Sequence, residues 1–188
     1  MKNNEYYKAY ENALIADLLN RSNIYKAGEV PSVIELDELN EYWNKIAPEY
    51  MADAVKNIND YPKFTLAVPA YFGTIMAIFW DERRENFLNY SYNFLCGDKN
   101  FDTADEYISQ HFLNIKPQSD EYLAMADRFC TMAQVVMDHI RHEEIQPGTT
   151  EAFYILAYGA KAVFKAAVAI ELFNRGYRYK KQNFTTEC

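Results

Sequence analysis

The stretch PKFTLAVPAYFGTIMAIFWDERRENFLNYSYNFL, residues 62–95, decides the fold. Phe72, Met76, Phe79, Arg83, Phe87, Tyr90 and Phe94 follow one another at steps of three or four residues, the spacing that gathers side chains on one face of a helix. On an adjoining face Ala70, Gly73 and Ala77 are small enough to let a neighbouring backbone approach closely. The pattern predicts one long helix reaching about residue 95, central in the fold, packed on at least two sides, with Arg83 inside an aromatic seam. Its uncharged part, from Phe64 to Trp80, is at the short edge of membrane-spanning length. Pro69, Gly73, Thr65, Thr74 and Tyr71 within it favour a buried core helix instead.

The segments on either side carry the same periodicity and clear end signals. A first helix is expected from about residue 4 to residue 26, where Ala27-Gly28 stops it. Ser32 followed by Glu35 is a capping-box pattern that opens a second, with Leu36, Leu39, Trp43 and Ile46 on one stripe and Pro48 as a kink or restart. Asp102 can cap a short helix to about residue 113. Ser119 or Asp120 opens the next, which runs to about residue 146, and Thr149 or Thr150 opens the last, ending near Arg175-Gly176. With only six glycines and six prolines and little strand-like alternation, the expectation is an all-α, single-domain, mainly antiparallel bundle of about six helices. It covers residues 1–176, with 177–188 as a short polar and basic tail.

Composition narrows the function classes. A chain of 188 residues, 49% hydrophobic and 24% charged, is large enough for one substantial core. A net charge of −8 argues against a broad phosphate-binding face, so nucleic acid is not an expected partner. Arg175, Arg178, Lys180 and Lys181 form the one basic cluster and read as a solvated helix end. Cys96, Cys130 and Cys188 lack metal or disulfide spacing, and the N-terminal stretch lacks an apolar signal region. A cytoplasmic protein without membrane insertion is therefore expected. The 16 tyrosines and 12 phenylalanines suit a core whose rim carries phenolic hydroxyls.

Two of the three histidines fall in MDHIRHEEI, residues 137–145. On a helix, Glu143 falls in the apolar stripe through Tyr122, Met125, Phe129, Ala133, Val136 and Ile140, and His139 lies on its flank. Asp138 and His142 turn toward solvent. His139 and Glu143 can touch one cation but make only half a site, and neither a di-metal bundle motif nor a zincin motif occurs. His111 is on a different helix. No metal and no cofactor is expected. The pairs Glu35/Glu38 and Glu82/Glu85 have the spacing that holds magnesium in all-α pyrophosphohydrolases, but capping accounts for Glu35 and pairing with Arg83 and Arg84 for the second pair.

Charges on apolar stripes are the remaining candidates. In the last helix Phe153, Leu156, Ala160, Val163, Phe164, Ala167 and Ile170 define an inward face that includes Glu171, with Lys161 and Lys165 on a more polar side. A buried carboxylate needs a partner. Arg83 is the expected one, paired with either Glu171 or Glu143 but not both. Arg83, His139, Glu143 and Glu171 are thus the candidate ligand-binding residues, and no family's motif is matched. The expected function is a non-enzymatic module that binds a protein partner or self-associates through an aromatic-rich helical face. The alternative is a small-ligand-binding or metal-dependent enzyme with a polar pocket inside the bundle.

Overall fold

The computed structural model describes residues 2–21, 37–83, 85–97 and 101–177. Among them are seven α-helices: α1 (Asn4–Arg21), α2 (Asp37–Asn57), α3 (Pro62–Glu82), α4 (Tyr92–Cys96), α5 (Ala104–His111), α6 (Asp120–His142) and α7 (Thr150–Asn174). Short 3₁₀ turns stand at Phe87–Asn89 and Phe101–Thr103, and no strand occurs among the described residues. Ser119 and Thr149 are the N-caps of α6 and α7, accepting from the backbone N–H of Tyr122 and Ala152, as the sequence signals predict. The Ser32/Glu35 pattern and Arg178, Lys180 and Lys181 lie outside the described residues. Tyr177, placed at the start of the tail by the sequence, docks on the bundle, its hydroxyl donating to Asp81 and its ring 5.5 Å from that of Trp80.

The extra helix arises where the long central helix breaks. The run Asp81–Asn86 is wholly polar, so the seam from Phe79 to Phe87 depended on Arg83 alone to carry the periodicity across two turns. With no apolar side chain there to bury, α3 ends at Glu82, and the backbone N–H of Arg83 closes the last turn onto Phe79 O. Ser91 then caps α4 through the N–H of Phe94. By contrast, Pro48 neither ends nor restarts α2, because it sits on an exposed face where the carbonyl it frees reaches water.

Helices α3 and α7 form the centre. Gly73 makes this possible: a Cβ there would lie 2.4 Å from Phe164 O and 3.0 Å from the Ala167 Cβ. The matched pairs Gly73 with Phe164 and Asp81 with Arg175 show that α3 and α7 run parallel. Tyr7 stacked on Tyr158 and Glu11 beside Lys165 show the same for α1 and α7. The opposite sense holds for α2 on α3, through Tyr50 with Phe72 and Glu38 with Trp80, and for α6 on α1, through His139 with Asp17 and Glu143 with Lys2. Most neighbouring pairs are therefore antiparallel around a parallel trio.

Pro69 sits inside α3 and cannot donate to Thr65 O; the buried hydroxyl of Tyr50 on α2 donates to that carbonyl at 2.9 Å. One core cluster extends from Tyr7 to Leu172. Both α3 and α7 are long and apolar enough to cross a membrane, and 78% and 61% of their apolar windows are buried inside the molecule.

Candidate functional site

The four candidate residues lie in three separate places. Arg83 is exposed at the end of α3, its guanidinium 5.4 Å from the centre of the Phe79 ring and 3.4 Å from the Tyr90 hydroxyl. It pairs with neither Glu171 nor Glu143, which corrects the sequence expectation. The helix stops before Arg83 can turn inward, so a charge that burial would have stranded stays in water.

Glu171 instead accepts from Arg175 Nε at 2.8 Å, one turn along α7. The same guanidinium reaches Asp81 at 2.8 Å and Glu82 at 3.1 Å. Arg175, read from the sequence as part of a solvated basic end, thus ties the C-terminal ends of α3 and α7 together.

His139 and Glu143 are half-buried on the last turns of α6, and each holds a different part of the N-terminal segment. His139 Nε2 lies 3.0 Å from Asp17 Oδ2, with the Tyr10 ring edge-on to the imidazole. Asp17 also accepts from Arg21 Nε at 2.7 Å, and that hydrogen bond, with the one from His139, keeps its carboxyl below the usual range despite partial burial. Glu143 accepts from Lys2 Nζ at 2.5 Å and from the Tyr6 hydroxyl. Burial pushes its carboxyl up, and these two bonds with the Lys2 charge outweigh it, for a net lowering. His139 and Glu143 are therefore committed to separate partners. Among the described residues no three His, Cys, Asp or Glu side chains are grouped to hold a metal ion. His111 is turned back onto Tyr107 O of its own helix. Of the paired acids, Glu38 accepts from Trp80 Nε1 at 2.6 Å and Glu82 belongs to the Arg175 cluster, while Glu35 lies outside the described residues.

Two features escaped the sequence reading. Glu11 on α1 is buried against α7, with Lys165 Nζ at 2.7 Å and Lys161 Nζ at 3.7 Å. The second is a cleft of about 520 Å³ bordered by α1, α3, α6, α7 and the segment after α5. Helices α6 and α7 meet closely near their connecting turn, where a Cβ on Gly159 would lie 2.8 Å from Val136. Farther from the turn they part, and the cleft opens between Met125, Phe129 and Met132 of α6 and Ile170 of α7, with Thr74 and Ile78 of α3 also lining it. Leu113 and Ile115 line it as well. Phe129 is fixed by an edge-to-face contact with Tyr71 at 4.6 Å. Polar groups stand around the apolar walls: Arg21, Asp127, Arg128 and Thr131 on one side, Glu171 and Asn174 on the other. The sequence did carry a trace of this cleft, since Met132 and Val135 flank a stripe wider than one neighbouring helix covers.

Comparison of the chain with known protein families, curated proteins and solved structures finds no match.

Proposed function

We propose that this chain is a small-ligand-binding helical domain whose site is the cleft between α6 and α7. The observation that carries this reading is the cleft itself: about 520 Å³, walled by Leu18, Ile78, Met125, Phe129, Met132 and Ile170, with a few polar groups at its rim. Pockets of several hundred Å³ with apolar walls and a few placed polar groups are the usual form of small-molecule sites. The alternative drawn from the sequence is a polar pocket inside the bundle; this cleft has apolar walls with its polar groups at the rim, and of the four candidate residues only Glu171 borders it.

Ile78 is half-buried and faces the cleft, so Ile78→Trp fills the space without rebuilding the core. A neutral apolar dye such as N-phenylnaphthylamine should brighten and saturate on the wild-type protein, and lose that response on Ile78→Trp at unchanged helicity. Equal dye binding by both proteins would exclude the cleft as the site.

Partner binding or self-association is the second reading, favoured by Phe153 and Tyr154, which are exposed side by side on the first turn of α7. Phe153→Ser with Tyr154→Ser should then change the sedimentation behaviour or the partners of the protein and leave dye binding intact. A cytoplasmic location, with no nucleic acid bound and no membrane insertion, goes with both readings, and the net charge of −8 supports the absence of a nucleic-acid face.

A further inference from the structure

We infer that the ligand of the cleft is an amphipathic anion, its apolar tail among Met125, Phe129 and Met132 and its acidic head at Arg128. The inference rests on the cleft being a ligand site and concerns the charge of what enters it.

The charges around the rim differ in whether they are already matched within the protein. Glu171 is met by Arg175 at 2.8 Å, and that guanidinium also faces Asp81 and Glu82, so the α7 side is an acidic neighbourhood that repels an anionic head. On the opposite side Arg21 gives its Nε to Asp17. Asp127 makes no ion pair within the described residues, and it stands on an edge the cleft shares with a neighbouring groove lined by Asn20, Arg21, Lys63, Gln134 and Asp138. Arg128 borders the cleft and not that groove. It makes no hydrogen bond or ion pair within the described residues, and its side chain is exposed at the mouth.

A guanidinium keeps its charge at any ordinary pH and presents a planar fork that takes a carboxylate through two parallel N–H···O bonds. An unmatched guanidinium beside apolar walls, away from the carboxylates of Glu171, Asp81 and Glu82, gives an anionic head one favourable place at the mouth. Arg128 is exposed at the mouth, so the head keeps part of its hydration while the tail is buried.

The test uses three probes of one chain length, decanoate, decanol and decylammonium, titrated into the full chain by calorimetry at roughly pH 8, where the carboxylic acid is ionised. Decanoate should bind about tenfold more tightly than decanol, the size of effect a charge-assisted bond supplies. Arg128→Gln should bring decanoate to the affinity of decanol and leave decanol unchanged, and Arg128→Lys should keep part of the preference. Equal affinities for decanoate and decanol, or tightest binding of decylammonium, overturn the anionic head and leave the cleft reading standing. A decanoate preference that survives Arg128→Gln overturns the assignment to Arg128. Binding of none of the three probes overturns the inference and the cleft reading together.

Discussion

Glu11 and Lys165 form an ion pair of 2.7 Å across the parallel interface of α1 and α7, with the glutamate side chain 5% and the lysine side chain 15% exposed. Removing one member of so enclosed a pair leaves the other charged and poorly solvated. Glu11→Leu should therefore destabilise the protein by about 3 kcal/mol, read from urea unfolding, and adding Lys165→Met should recover much of that loss. Lys161, at 3.7 Å and more exposed, can turn to water when Glu11 is gone. A double variant as unstable as the sum of the singles would show that the two residues act independently.

The hydrogen bond from Tyr50 to Thr65 O answers a vacancy that Pro69 creates. Tyr50→Phe should cost about 1–3 kcal/mol, because a buried carbonyl loses its donor. In a Pro69→Ala background the helix regains a backbone N–H four residues after Thr65, and the same Tyr50→Phe change should then cost clearly less. Equal costs in the two backgrounds would mean that the hydroxyl serves something other than the broken helix bond.

Gly73 and Gly159 both sit at close helix approaches, yet they differ in what an added methyl meets. At Gly73 it meets the backbone carbonyl of Phe164, and at Gly159 a methyl of the Val136 side chain. A side chain can rotate away and a helix backbone cannot, so Gly73→Ala should destabilise by about 2–3 kcal/mol. Gly159→Ala should cost less, offset in part by the gain in helix propensity of roughly 1 kcal/mol. Thermal unfolding of the two variants side by side checks the order.

Acid should weaken the junction of α1 and α6. Asp17 and Glu143 both titrate below their ordinary values in the folded chain. Between the folded and unfolded values the unfolded chain binds more protons, so stability rises with pH there. The contribution is complete above roughly pH 5 and is lost as pH falls through the lowered folded values. Asp17→Asn should flatten the dependence of the urea midpoint on pH within that acid window; an unchanged slope would remove Asp17 as a source.

Arg83→Leu should change stability by no more than about 0.5 kcal/mol, as expected for an exposed side chain without a carboxylate partner. A loss of several kcal/mol in urea unfolding would restore the buried-pair reading.

The contrast between Arg83 and Gly73 shows what was legible in the sequence. Gly73 with Ala70 and Ala77 announced a close helix approach, and one exists, because a missing side chain is a local property that any neighbour must respect. Ser119 and Thr149 announced helix starts for the same reason, since a cap acts within its own turn. Arg83 looked buried only because periodicity was extended across a polar run, and Ser91, a cap signal inside the supposed helix, was the residue that marked the break. Glu171 was rightly suspected of needing a cation, but the partner was Arg175 one turn away rather than a distant core arginine. The cleft was nearly silent because it depends on how far α6 and α7 diverge, a matter of relative placement that no single segment encodes.

The parallel placement of α1 against α7 bears on how the chain assembles. Tyr7 finds its stacking partner at Tyr158 and Glu11 finds Lys165, so the interface joins segments with five other helices between them in the chain. A helical bundle stitched from sequence neighbours closes short loops and folds quickly, whereas this one must close its largest loop to complete its centre. On the ribosome α1 emerges well before α7. The first helix must therefore wait, its apolar face unsatisfied, until α7 has been made, and during that interval the nascent chain is exposed to aggregation and to chaperones.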